Sequence, residues 1–162
     1  MVWKVGEGDG YALLAALLAA HVGESLPAME RKEGGKPWFP SRPDLHFSVS
    51  HSGTLALCAL SDREVGADVE LIRPRRERLP AYALDGEELD WYRARGGGWE
   101  WFYTLWTLKE ARVKCTGQGL RRPPREISVP LLEPGETGDW DGFRFTALAG
   151  EVWRGALCEK LT

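Results

Sequence analysis

The chain has 162 residues, 43% of them hydrophobic and 28% charged, and a formal net charge of −3. That length and apolar fraction suffice for a core inside one compact unit, and the small negative charge gives no reason to expect nucleic acid as a general partner. Cys58, Cys115 and Cys158 are odd in number, far apart and in no metal-ligand spacing, so they read as reduced thiols of a cytoplasmic protein.

The apolar run from Tyr11 to Val22 is too short to cross a bilayer, and Glu7 and Asp9 stand where a leader would carry positive charge. An internal helix near residues 10–22 is predicted, with no membrane association. Gly35-Lys36-Pro37 then reads as a loop, in which Lys36 by itself would be an ordinary turn lysine. In LHFSVSHSG the run FSVS alternates apolar and polar residues, a turn is predicted at His51–Thr54, and the chain returns through the apolar run Leu55–Leu60. Ser50 and His51 at such a strand end are compatible with a locally hydrogen-bonded turn.

A strand is predicted from Val65 through the segment GADVE, with Val69, Leu71 and Ile72 as its aliphatic residues. Asp68 and Glu70, two apart, then share one face roughly 7 Å apart, twice the ~3.4 Å rise per residue. Carboxylates so close repel each other unless a cation or base lies between them, and hard oxygen ligands of this kind suit magnesium; two solvated surface acids are the plainer alternative. Arg73, Arg75, Arg76 and Arg78 follow directly, and Arg121, Arg122 and Arg125 follow the next motif. These are solvated loop arginines or a surface that steers an acidic protein partner.

A short helix is expected around Gly86–Arg95, a break at Gly96-Gly97-Gly98, and a long helix from Gly98 to Gly117 with Trp99, Phe102, Trp106 and Val113 on its apolar side. Glu110 and Lys114 fall one turn apart on it, which an exposed helix also uses for simple pairing. Strands are expected at Ile127–Leu131, Phe143–Ala147 and Trp153–Cys158, and the eight tryptophans are expected mostly in the core. The chain divides into an N-terminal lobe, 1–64, and a C-terminal lobe, 65–162, each a helix followed by strands.

Taken together, Gly35-Lys36-Pro37, Ser50-His51-Ser52, GADVE at 66–70, and Trp106, Lys109, Glu110 and Lys114 ahead of Gly117-Gln118-Gly119-Leu120 resemble the motifs of the 4'-phosphopantetheinyl transferase superfamily, in its order. They span residues 35–120. The resemblance implies an α+β pseudodimer of two similar lobes with the donor in the cleft between them, active as a monomer. It implies transfer of the phosphopantetheine arm of coenzyme A to a serine of an acidic apo acyl or peptidyl carrier protein. It further implies magnesium on Asp68, Glu70 and Glu110, coenzyme A contacts from Gly35, Lys36, Pro37, Ser50, His51, Lys109 and Lys114, and catalytic roles for Glu110, Lys114 and His51. Glu110 would be the base, directly or through a bound water, and Lys114 would stabilise the leaving diphosphate. Rival readings are a catalytically silent binding module for coenzyme A or carrier, and a magnesium-dependent phosphate-ester hydrolase. No lysine or arginine lies between Lys4 and Arg31, so the 3'-phosphate of coenzyme A is expected to rest on Lys36, His51 and Arg42, with discrimination against the dephospho donor of roughly tenfold or less.

Overall fold

A computed structural model describes residues 1–119 and 121–162; Leu120, the last residue of the Gly117–Leu120 motif, lies outside the described residues. The chain opens with strand β1 (Val2–Glu7). Asp9 then caps helix α1 (Gly10–His21), its carboxylate accepting the Tyr11 amide at 3.1 Å. After a two-residue-strand hairpin, β2 (Glu30–Arg31) and β3 (Pro37–Trp38), come β4 (His46–Ser52) and β5 (Leu55–Ser61). These last two form the hairpin expected from the FSVS alternation, with its turn at 53–54. β1 is added to its far edge, giving the sheet order β1-β5-β4, all antiparallel. Leu14 and Leu18 of α1 pack with Phe39, Phe47, Cys58 and Leu60, and the rings of Phe39 and Phe47 stack at 4.4 Å.

Strand β6 (Val65–Leu71) begins the second sheet. It is followed by α2 (Leu79–Ala83), α3 (Gly86–Ala94), α4 (Trp99–Thr116) and strands β7 (Thr137–Trp140), β8 (Phe143–Ala149) and β9 (Trp153–Lys160). The order is β6-β9-β8-β7, antiparallel throughout. α4 lies across β6 and β9. It buries Phe102, Leu105, Leu108, Ala111 and Cys115 and ends where Gly117 adopts φ +67°. The buried stripe is offset from the one the sequence suggests: Trp106 and Val113 are only half-buried at its margin. Of the eight tryptophans none is fully buried, and Trp3 and Trp140 are exposed. Their bulk lets them cover the core without entering it.

No strand forms at Ile127–Leu131. Pro130 removes an amide donor from that stretch, Pro123 and Pro124 lead into it through a 3-10 turn at Pro124–Glu126, and an irregular path tucks Val129 and Leu132 into the core of the second sheet. Among the described residues no helix is long and apolar enough to cross a membrane, and the three cysteines are free and buried.

The two sheets meet where β4 runs beside β6. Ser48, Ser50 and Ser52, on one face of β4, accept the amide protons of Ala67, Val69 and Leu71 at 3.0, 3.1 and 3.0 Å. Each pair is separated by 19 residues, so the strands run parallel and hydroxyls replace a backbone ladder. Leu57, Ala59, Val65, Ala67, Val69 and Leu157 seal the junction with apolar contact.

One glycine allows α4 its depth. A Cβ on Gly66 would stand 1.9 Å from the Ala111 carbonyl oxygen and 2.4 Å from the Cys115 nitrogen, which are backbone atoms that move only if the helix moves. Gly66→Ala is therefore expected to lower the unfolding free energy by about 3 kcal/mol or more, to be measured by chemical denaturation. A variant within ~0.5 kcal/mol of wild type would contradict this packing.

Candidate functional site

Asp68 sits at the centre of the junction and is 4% exposed. Its Oδ1 accepts Lys114 Nζ at 2.7 Å and the Ser50 hydroxyl at 3.1 Å, and its Oδ2 is buried without a hydrogen-bond partner. Glu70, two residues along β6, accepts the Ser52 hydroxyl at 3.2 Å. From α4, Glu110 faces the same space and Lys114, one turn on, also donates to Ser50 Oγ at 3.0 Å. Burial pushes the Asp68 carboxyl up to about 6; Lys114 and Ser50 oppose this and Glu70 adds to it. Burial, then the neighbouring charge of Asp68 and of Glu70, raises Glu110 to about 7, with Lys114 opposing.

Among the described residues no three His, Cys, Asp or Glu side chains stand as a closed ligand set, and Lys114 occupies one oxygen of Asp68. The residues nonetheless fit a hard divalent cation. Asp68 carries a buried oxygen that lacks any partner, and the charge of Glu70 raises the carboxyls of both Asp68 and Glu110. Magnesium takes one or two protein carboxylates and fills its other positions with water and phosphate oxygens.

Beside the carboxylates lies a cavity of about 320 Å³ with Tyr11, Phe47 and Val49 on its apolar side, Gly35 and Gly119 supplying bare backbone, and Arg31 and Lys114 supplying charge. The β2–β3 hairpin forms one wall. Its turn is pressed against the end of α4 so closely that a Cβ on Gly34, at φ +94°, would lie 2.6 Å from the Gly117 carbonyl oxygen. Arg31 reaches this wall by donating to the Gly35 carbonyl at 2.7 Å. Pro37 lines the same cavity.

The other residues singled out in the sequence divide between this site and the rest of the molecule. Lys36 lines the cavity, but its ammonium donates to the carbonyls of Val65 and Cys115 at 3.0 and 2.8 Å, tying hairpin to helix, and burial lowers its pKa. Lys109 points into the opposite side of α4. It is 1% exposed, contacts both oxygens of Glu88 at 2.7 and 2.8 Å and the carbonyls of Pro124 and Ile127 at 3.0 and 2.8 Å, and does not reach the carboxylates of the junction. Consecutive helical residues diverge by about 100°, so Lys109 and Glu110 cannot share a face. His51 is exposed, and its Nε2 accepts the Gly10 amide at 3.0 Å at the start of α1. Ser50 is buried among Asp68, Lys114 and Val69. Arg42 is paired with Asp44 and Glu24 on the surface.

Two groups escaped the sequence. Arg31 and Tyr11 reach the cavity only through the hairpin and the N-terminus of α1. Ser48 and Ser52 join Ser50 as hydroxyl partners of β6, and only their two-residue spacing hinted at a shared face. The arginines at 73, 75, 76 and 78 are all exposed, as are Arg121, Arg122 and Arg125. Arg75, Arg76 and Arg78 flank a groove that also holds Leu79 and Tyr82.

A family model described as the 4'-phosphopantetheinyl transferase superfamily matches residues 64–138. A 4'-phosphopantetheinyl transferase of Bacillus subtilis is 34% identical over 135 residues, covering 78% of this chain and 60% of its own. The 4'-phosphopantetheinyl transferase Sfp of B. subtilis strain 168 is 34% identical over 107 residues, 65% of this chain and 48% of its own. The transferase AcpT of Salmonella typhi is 38% identical over 110 residues, 65% and 57% of the two chains. The chain thus spans about half to three fifths of the length of these curated relatives.

A pH dependence follows from the raised carboxyls. A folded-state pKa above the unfolded value gives stability that is complete below the unfolded value, near 4, and is lost as pH rises through the folded ones, about 6 for Asp68 and about 7 for Glu110. The metal-free protein should therefore lose stability between about pH 4 and pH 7. Asp68→Asn removes part of that loss, so its stability relative to wild type should rise by about 3 kcal/mol across the interval. Thermal melting in chelator at several pH values checks this, and parallel curves for the two proteins would contradict it.

Proposed function

The chain belongs to the 4'-phosphopantetheinyl transferase superfamily, and on that premise we propose that it moves the 4'-phosphopantetheine arm of coenzyme A onto a serine of an apo acyl or peptidyl carrier protein. The observation that carries the reading is the buried Asp68, with one oxygen unpartnered, set beside Glu70 and Glu110 and joined through Lys114 to a cavity that Lys114 and Arg31 line. Asp68, Glu70 and Glu110 would hold magnesium, which when bound neutralises diphosphate charge and so lowers the barrier to nucleophilic approach.

The remaining work falls to the chain's own groups. Tyr11, Phe47 and the glycine backbones receive the nucleoside end of the donor. Lys114 carries the charge that builds on the departing phosphate. The serine oxygen of the carrier attacks the phosphorus on the pantetheine side. A new P–O bond forms, the bond from that phosphorus to the bridging oxygen breaks, and adenosine 3',5'-bisphosphate leaves. The serine proton passes to Glu110, directly or through a bound water. Positioning and charge stabilisation dominate, as in other phosphoryl transfers.

The architecture supports reading residues 1–64 and 65–162 as two similar lobes of a pseudodimer. In each, a strand and a helix precede a hairpin, and the first strand pairs with the last: β1 with β5, β6 with β9. Because both lobes lie in one chain, the active species is a monomer. The exposed arginines after β6 suit an acidic carrier.

Incubating the protein with coenzyme A, magnesium and apo-carrier, with the carrier read by intact mass, tests the reading. The expected result is a phosphopantetheine mass gain on the carrier that Asp68→Ala abolishes while the variant stays folded. Nucleotide release without carrier would favour a hydrolase, and binding without transfer on several carriers a silent module. Arg31 supplies the cavity wall with a guanidinium, so it is the residue here assigned to the 3'-phosphate. Arg31→Ala should cut the kcat/KM ratio of coenzyme A over 3'-dephospho-coenzyme A by about tenfold; an unchanged ratio would remove Arg31 from that role.

A further inference from the structure

We propose that Ser50 and Ser52 are positioning residues, through which β4 sets the orientation of the cation-binding carboxylates on β6. The proposal rests on the reading of Asp68, Glu70 and Glu110 as the magnesium site and goes beyond it.

The same two-bond pattern occurs twice along the junction. Ser50 accepts the amide of Val69 at 3.1 Å and donates to the carboxylate of the preceding residue, Asp68, at 3.1 Å. Ser52 accepts the amide of Leu71 at 3.0 Å and donates to the preceding carboxylate, Glu70, at 3.2 Å. Both serines are buried, at 5% and 6% exposure. A hydroxyl has one proton and two lone pairs. In Ser50 all three are committed: the proton to Asp68, the lone pairs to Val69 and to Lys114 at 3.0 Å. The hydroxyl fixes Oδ1 of Asp68, and Oδ2 is the oxygen left without a partner.

Ser48 shows what the ladder does without this function. It accepts the Ala67 amide at 3.0 Å, as its two neighbours accept theirs, but the preceding residue, Gly66, has no carboxylate. Ser48 therefore joins the strands without holding a ligand, which makes it an internal control.

Magnesium is titrated by calorimetry, without donor, into wild type, Ser48→Ala, Ser50→Ala, Ser52→Ala and Asp68→Ala, and coenzyme A is titrated at saturating magnesium. Ser50→Ala and Ser52→Ala are each expected to weaken magnesium binding about tenfold, the worth of one hydrogen bond to a charged group. Ser48→Ala should keep wild-type magnesium affinity, and Ser50→Ala should keep its coenzyme A affinity within about twofold. Ser52→Ala carries the test if Ser50→Ala does not fold. Wild-type magnesium affinity in both the Ser50 and Ser52 variants, or an equal loss in Ser48→Ala, overturns the proposal while leaving the cation site standing. A loss of coenzyme A affinity at unchanged magnesium affinity would return Ser50 to the donor. If Asp68→Ala binds magnesium as wild type does, the cation site itself falls and the proposal with it.

Discussion

The contact of Asp68 with Ser50 and Lys114 ties together the three elements from which the site is made. Asp68 belongs to β6, Ser50 to β4 and Lys114 to α4, and their mutual distances are 2.7–3.1 Å. A carboxylate this deeply buried is tolerated because a cation and a hydroxyl meet it there. The ammonium that meets it comes from a helix seated on β6 only because residue 66 has no side chain. Remove that seat and the lysine, the glutamate one turn before it and the end of the helix all withdraw together.

From the same contact follows the placement of the cavity. α4 must stop near β4 for Lys114 to reach Ser50, and Gly117 stops it there with a left-handed turn. The β2–β3 hairpin closes on that stop, with Lys36 bridging Val65 and Cys115 across the gap. The cavity wall is thus a consequence of the helix end, and its charged groups, Arg31 and Lys114, arrive from opposite directions. On the far side of α4, the buried Lys109–Glu88 pair with its two carbonyl partners fixes the rotation of the helix. Broken on one side, such a pair leaves an uncompensated charge in the core.

Much of this was legible in the sequence. Alternation gave the β4–β5 hairpin, glycine at 117 gave the end of α4, and the two-residue spacing of Asp68 and Glu70 put them on one face. What the sequence withheld was direction and depth. Lys109, Glu110 and Lys114 are three polar residues of one helix, and only packing tells which turn toward the junction and which toward Glu88. Lys36 in a Gly-Lys-Pro loop looks free until the carbonyls of Val65 and Cys115, 29 and 79 residues away, are brought against it. The serines of β4 read as a polar face because their partners are backbone amides of another sheet, and no side-chain pattern advertises a backbone amide. The strand expected at Ile127–Leu131 failed for a local reason, Pro130 within it and Pro123 and Pro124 just before it.

The central claim is that burial of Asp68 beside Glu70 and Glu110 creates a place for one divalent cation at the junction of the two sheets. The most direct measurement is a crystal grown with manganese and diffracted above its absorption edge. One anomalous peak per chain, within bonding distance of the Asp68 Oδ2 that now lacks a partner and shared with Glu70 or Glu110, is the result predicted here. A peak bound away from Asp68, or none at saturating manganese with Lys114 still on Asp68, would contradict it.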